Sequence, residues 1–374
     1  MRLANVYRLG RKELTSLRHD LVLVLLIAYS FTIAIIAPAK GVRLELYNAA
    51  VAVVDEDKSP LSRQLIDGLR PPFFQPPVQI ELNEMDPGMD AGQYTFVIDI
   101  PPHFQANILA ARQPSLQVNV DATAMAQAGS GARYIEGMIG EELRNFLERR
   151  PLAANLPVKA VTRLVFNPNS ESSWFLAVMQ IVNMCTLLGI LLTGAALIRE
   201  REHGTLEHLL VMPLTPADIM VAKSWSNALV ILVAATLAML VVVRGVLGVP
   251  ISGSLTLFVF GLAIYLFSLT AIGILLATLA RSMPQFGLLS IPVFLVMYML
   301  SGANTPLDSM PELLQRIMLV SPTTHFVSFS QGVIFRGADI HLVWPQLLAT
   351  AGIGVIAFLV ALARFRRTVS LTQL

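Results

Sequence analysis

Six stretches of this chain contain no Asp, Glu, Lys or Arg: 21–39, 172–198, 224–243, 245–280, 282–307 and 342–363. No other feature limits the fold so strongly. About 20 apolar residues in a helix cross a hydrocarbon core of roughly 30 Å, and the helix satisfies its own backbone polar groups there. The windows therefore predict six transmembrane helices. Only 14% of the 374 residues are charged, against about 25% in water-soluble domains. A soluble enzyme and a nucleic-acid-binding module are both excluded.

The placement of basic residues predicts which side each loop faces. With the N-terminus in the cytoplasm, the inner side receives Arg2, Arg8, Arg11, Lys12, Arg18, Arg199, Arg201, Lys223, Arg281, Arg364, Arg366 and Arg367. The short outer loops keep Arg316 and Arg336, and Arg244 lies near an outer helix end, where a long side chain can reach the interface. Both chain ends are thus expected inside and 40–171 outside. A competing reading takes Arg11-Lys12, the apolar run and Ala37-Pro38-Ala39 as a cleaved secretory signal. The run is long enough to span, so it is read as a retained first span. The single cysteine, Cys185, falls inside the second window and can form no intrachain disulfide.

Before the first window, residues 1–20 read as an interfacial elbow helix, with Leu14 and Leu17 on one stripe and basic residues around the rest. Between the first and second windows, strand and helix patterns alternate. AAVAVVDED at 49–57 reads as a buried strand, and Ser59-Pro60 as the start of a helix carrying Leu61, Leu65, Ile66 and Leu69. VQIELN, YTFVIDI and LQVNV read as further strands, with a short helix at 104–112. A longer helix carries Ile135, Met138, Ile139, Leu143, Phe146 and Leu147, and a strand VTRLVFN leads back to the membrane at Trp174. The predicted fold class is an α-helical polytopic membrane protein with six spans and an α/β (α+β) periplasmic domain inserted between the first and second.

A nucleotide-binding loop needs a glycine directly before its lysine, so that backbone N–H groups and the ammonium meet the phosphates together. The five lysines, Lys12, Lys40, Lys58, Lys159 and Lys223, follow Arg11, Ala39, Asp57, Val158 and Ala222. No such loop exists in this sequence. His203, Glu207 and His208 lack the four-residue histidine spacing of a zinc-protease helix, and AGSGAR around Ser130 lacks the nucleophile-elbow spacing. No catalytic, cofactor-binding or metal-ligating residue is assigned. Gln180 and Asn183 share one face of the second span; they read as packing glue, with a polar lining for a translocated molecule as the alternative.

The segment 199–223 is longer than a connection between spans needs. Thr205 can cap a helix with Leu206, Leu209 and Leu210 on one face and Glu202, Glu207 and His208 at its rim, ended by Pro213. Thr215-Pro216-Ala217-Asp218 then starts a second helix with a capping box. The run LIREREHGTLEHLLVMPLTPADIMVAK resembles the first cytoplasmic loop of ABC-2 type export permeases. LSGANTPLDSMPELLQRIMLVSPTTHFVSFSQGVIFRG at 300–337 resembles that family's outer segment before the last span. DAGQYTFVIDIPPHFQANILAARQPSLQVNVDAT at 90–123 resembles its members with a large periplasmic domain.

This resemblance covers essentially the whole chain. It implies a coupling helix at 202–212 that seats in a separate ATP-binding subunit, with Glu202, Thr205, Leu206, Glu207, Leu209, Leu210 and Pro213 as the coupling residues. ATP and Mg would be held by that partner, and none on this chain. It further implies pairing as a homodimer or with a related permease, a membrane-fusion protein as a further partner, and a bacterial inner-membrane location. Residues 224–374 would hold spans three to six, with an outer re-entrant segment at about 301–341 and a basic cytoplasmic tail. The function expected is ATP-driven export of a small or amphiphilic substrate. Two alternatives stand beside it: an ATPase-linked scaffold that transmits motion without transport, and a secondary transporter or channel, which would require charged relays inside the spans.

Overall fold

The first apolar window folds as two helices, not one. The computed structural model describes residues 3–41, 46, 48–121, 125–148, 172–202, 204, 214–303, 307 and 310–372. In it, α1 (Leu3–His19) is followed by α2 (Leu21–Ser30) and α3 (Ile33–Gly41). Asp20 sets the start of α2: its carboxylate accepts the Leu23 backbone N–H at 3.2 Å, one of the donors a helix start leaves open. The helix is interrupted at Phe31-Thr32, where the Thr32 hydroxyl donates back to the Ala28 carbonyl. Residues Leu21–Gly41 together are still long and apolar enough to cross a membrane.

Two compact units make up the chain, Val42–Ser172 and the remainder. In the first, β1 (Val51–Asp55), α4 (Pro60–Asp67), β2 (Val78–Gln79), α5 (Leu82–Asp90), β3 (Phe96–Ile100), α6 (Phe104–Leu109), β4 (Gln117–Val120) and α7 (Met125–Glu148) follow one another. The sheet order is β2-β1-β3-β4, with β1 parallel to both neighbours and β4 antiparallel to β3. Because side chains alternate along a strand, β1 feeds two cores. Val51 and Val53 join Leu61, Leu65, Phe96, Ile98 and Ile135 on one face. Ala52 and Val54 join Val97, with Met85 and Met89 against them, on the other.

Ser59 and Pro60 start α4 as the sequence predicts. The Ser59 hydroxyl accepts the Ser62 N–H, and the Ser62 hydroxyl accepts the Ser59 N–H in return. The expected strand VQIELN is corrected. The strand is limited to Val78–Gln79, with the Ile80 N–H still donating to the Val53 carbonyl of β1, and α5 begins at Leu82. The Glu84 carboxylate accepts the Glu81 N–H, a reciprocal cap that turns the chain into a helix before the strand can extend. The expected strand VTRLVFN lies outside the described residues.

The second unit continues with α8 (Ser172–Glu202) and α9 (Pro216–Leu237), the latter running into a π-helical stretch Ala238–Val246. Then come α10 (Leu255–Leu279), α11 (Met283–Leu300), α12 (Glu312–Met318), α13 (Pro322–Ile334) and α14 (Ile340–Thr372). Six helical stretches of the described residues are long and apolar enough to cross a membrane. Of these, α8 and α10 are the most enclosed, with 67% and 61% of their central windows buried, so the other helices are arranged around them. Lipid is as apolar as leucine, so span association depends on close packing and interhelical hydrogen bonds. A glycine contact provides the first: a Cβ on Gly273 of α10 would lie 2.5 Å from the Ile190 carbonyl oxygen of α8. Tyr265 provides the second. Its fully buried hydroxyl lies 2.6 Å from the Thr186 hydroxyl on α8 and donates to the Thr323 hydroxyl on α13 at 2.9 Å, while its ring stacks on Phe326.

Candidate functional site

The start of the third span lies earlier than its uncharged window suggests. Thr215 caps α9: its hydroxyl accepts the Asp218 N–H at 3.2 Å, and the Asp218 carboxylate accepts the Thr215 N–H at 3.0 Å. Pro216 occupies the first turn, where a missing N–H costs nothing. The sequence reading starts a second helix here, within the segment 199–223 that it kept apart from the third span. Instead, with no glycine or further proline before Leu237, the capped turn continues directly into the span.

That first stretch of α9 holds α1. The helical spacing of Val6, Leu9, Gly10, Glu13 and Leu17 puts them on one stripe, and all five are buried. Val6 and Leu9 cluster with Ile219 and Ala222, and a Cβ on Gly10 would fall 2.1 Å from the Trp225 ring. The Val6 and Leu9 part of the elbow is therefore covered by the protein's own third span.

Within this stripe sits an acid. Glu13 Oε1 lies 3.1 Å from Lys223 Nζ, which is also 3.0 Å from Glu200 Oε1 and donates to the Ala196 carbonyl at 3.4 Å. The Lys223 side chain is 1% exposed. An ammonium removed from water needs opposite charge and hydrogen bonds in good geometry, and here they come from α1 and from the end of α8. One lysine thus ties three elements together. Lys223 had been read as an inner surface charge; its burial was missed. The signal was available in α1, where an acid interrupts a regular apolar stripe and so demands a buried cation.

At the end of α8, Arg201 donates to the Ala280 carbonyl, and the Glu202 carboxylate accepts the Met283 N–H at 2.8 Å. Ser282 precedes α11 without capping it through its side chain, so Glu202 caps that helix from a neighbouring one. Gly204 then takes a left-handed φ of 68°, which glycine adopts without steric cost. Both flanks of the segment between Glu202 and Thr215 are therefore fixed. Thr205, Leu206, Glu207, Leu209, Leu210 and Pro213 lie outside the described residues.

Gln180 and Asn183 meet as their spacing predicts, with Asn183 Nδ2 3.4 Å from Gln180 Oε1. Asn183 is buried, and its Oδ1 has no hydrogen-bond partner among the described residues. One turn on, Thr186 belongs to the Tyr265 hydrogen bonds, which sequence spacing could not reveal because their partners are 79 and 58 positions apart. Among the described residues no group of three or more His, Cys, Asp or Glu side chains converges to hold a metal.

Comparison with known proteins identifies the family. The family described as ABC-2 family transporter protein matches residues 21–363. The chain is 51% identical to the inner membrane transport permease YhhJ of Escherichia coli (strain K12), over 98% of each chain. It is 29% identical to the probable multidrug ABC transporter permease YbhR of the same organism, over 97% of this chain and 99% of that one. Family membership implies an ABC ATP-binding partner, and the permease component of such transporters is typically not the catalytic one. This chain is a membrane-spanning permease belonging to the ABC-2 transporter family.

Proposed function

We propose that the chain is the permease subunit of an ATP-driven exporter that moves a small or amphiphilic molecule out of the cytoplasm or inner membrane. In this reading a separate ATP-binding subunit, carrying ATP and Mg, seats against the segment 199–223, with Leu206, Leu209 and Leu210 buried in its groove. Glu202, Thr205, Glu207 and Pro213 would frame that contact. Both chain ends face the cytoplasm, 40–171 faces the periplasm, and 301–341 is a re-entrant outer segment. Two permeases pair, as a homodimer or with a related chain, and a membrane-fusion protein is a candidate further partner. Gln180 and Asn183 contribute polar groups to the path.

The fixed flanks of the segment after α8 carry this reading. Lys223 binds Glu200 and Glu13, and Glu202 caps α11, so a push on the segment between them reaches three helices without first being absorbed by slack ends. The relatives' names, transport permease and probable multidrug ABC transporter permease, support transport. The test is co-reconstitution with its ATP-binding subunit in inside-out vesicles with a panel of amphiphilic dyes. ATP-dependent dye accumulation, lost with a hydrolysis-deficient ATPase, is the expected result. Full ATP turnover with no dye movement across the panel would favour the scaffold reading instead.

A further inference from the structure

The face of α1 opposite its buried stripe is cationic, and no partner has been assigned to it. Arg8, Arg11, Lys12, Thr15, Ser16 and His19 line an open groove of about 540 Å³. Their spacing places them on the helical face turned away from Val6, Glu13 and Leu17. Glu13 is the only acid in α1, and it is buried against Lys223. The outward face therefore carries positive charge without compensation from its own helix. Among the described residues, none of Arg8, Arg11, Lys12 and Arg18 forms an ion pair. Thr15 donates to the Arg11 carbonyl, and Nδ1 of His19 lies 2.7 Å from the Thr15 carbonyl, so both side chains are held along the groove.

The position of this face limits what it can meet. One residue beyond α1, the apolar helix α2 begins, with Leu21 and Val22 being 69% and 75% exposed. With Leu21–Gly41 read as a membrane span, α1 stands at headgroup depth. An interfacial helix ordinarily binds the bilayer by inserting its apolar side, but here that side is occupied by Ile219, Ala222 and Trp225. Charge is what remains for holding the membrane. Clustered basic residues directly beside a span attract anionic headgroups, and the attraction falls off within a Debye length.

We propose that the groove formed by Arg8, Arg11, Lys12 and His19 is a binding site for the phosphodiester headgroups of anionic phospholipids. Guanidinium groups pair with phosphate oxygens through two parallel N–H donors, which suits two arginines one turn apart. Bound lipid would hold α1 at the surface and so, through Glu13, steady Lys223 and Glu200. The inference needs α1 beside a bilayer; it does not need transport.

The test uses the full chain, purified in detergent, delipidated, and offered dioleoylphosphatidylglycerol or dioleoylphosphatidylcholine, with retained lipid counted by native mass spectrometry. Wild type should retain the anionic lipid preferentially and lose that preference in high salt. A basic residue near an anionic surface contributes about fivefold in affinity, so the combined variant R8Q/R11Q/K12Q should lose the preference by roughly tenfold or more. The charge-keeping variant R8K/R11K/K12R should hold most of it. An unchanged preference in the glutamine variant, or a wild-type preference insensitive to salt, would overturn the proposal. So would a glutamine variant that keeps its lipid but no longer co-purifies with the ATP-binding subunit, since the face would then belong to an acidic protein. If the glutamine variant does not fold, the salt titration of wild type and the charge-keeping variant decide the matter.

Discussion

Nζ of Lys223 lies 3.1 Å from Oε1 of Glu13, joining the first helix to the third span across 210 positions of sequence. Removing one partner from a buried ion pair leaves an uncompensated charge and costs about 3–5 kcal/mol. Lys223→Met strands two carboxylates and should produce a loss of that size in thermal or denaturant unfolding. Glu13→Gln should cost less, because Glu200 remains 3.0 Å from the ammonium. Equal losses in the two variants would show that Glu200 does not share the lysine.

Tyr265→Phe deletes the hydroxyl between Thr186 and Thr323 and keeps the ring on Phe326. Interhelical hydrogen bonds in membranes contribute about 0.6 kcal/mol on average and up to about 1.7. Thr186 keeps its bond to the Val182 carbonyl, so the expected loss lies near 1 kcal/mol. Tyr265→Leu should lose more, since the stacked ring goes too. Unfolding titrations of the two variants measure the difference.

Gly273→Ala should reduce the yield of folded protein sharply. Its added methyl would meet the Ile190 carbonyl oxygen at 2.5 Å, and backbone cannot swing aside as a flexible side chain can. Gly287→Ala, where nothing lies within 4 Å of the new atom, should be neutral or slightly stabilising. Size-exclusion profiles after detergent extraction compare them.

A reporter active only in the periplasm should work when fused near Gln113 and fail at Gln373. The opposite pattern would reverse the proposed orientation.

Leu209→Ser combined with Leu210→Ser should leave membrane insertion intact while uncoupling ATP hydrolysis from transport. Burial of one leucine contributes roughly 1.5–3 kcal/mol, so losing two weakens docking by at least about tenfold. Wild-type co-purification of the ATP-binding subunit with the double variant would remove these leucines from the contact.

What could be read from the sequence follows from the range of the forces involved. The spans were legible because absence of charge over about twenty residues is a local property. The helix start at Ser59-Pro60 and the capping box at Thr215 were legible because the residues that make them sit within three positions of each other. Beyond this range, legibility failed in specific ways. VQIELN alternates like a strand, yet Glu84, one residue past it, caps a helix that starts inside it. Lys223 looked like a surface charge because its carboxylates are Glu13, near the N-terminus, and Glu200, on another helix. The polar chain through Tyr265 was invisible for the same reason. Gln180 and Asn183 share one turn, and they were found.

The covering of α1 by α9 sets an order of events during biogenesis. A ribosome making this chain releases Glu13 long before Lys223 exists, with 210 positions between them. At bacterial synthesis rates of about 5–20 residues per second, the wait is roughly 10–40 seconds. During that interval the stripe of Val6, Leu9 and Leu17 has no helix to rest on and its acid has no cation. The elbow therefore stays without its partner until the third span is made, and any truncation before Lys223 leaves it so.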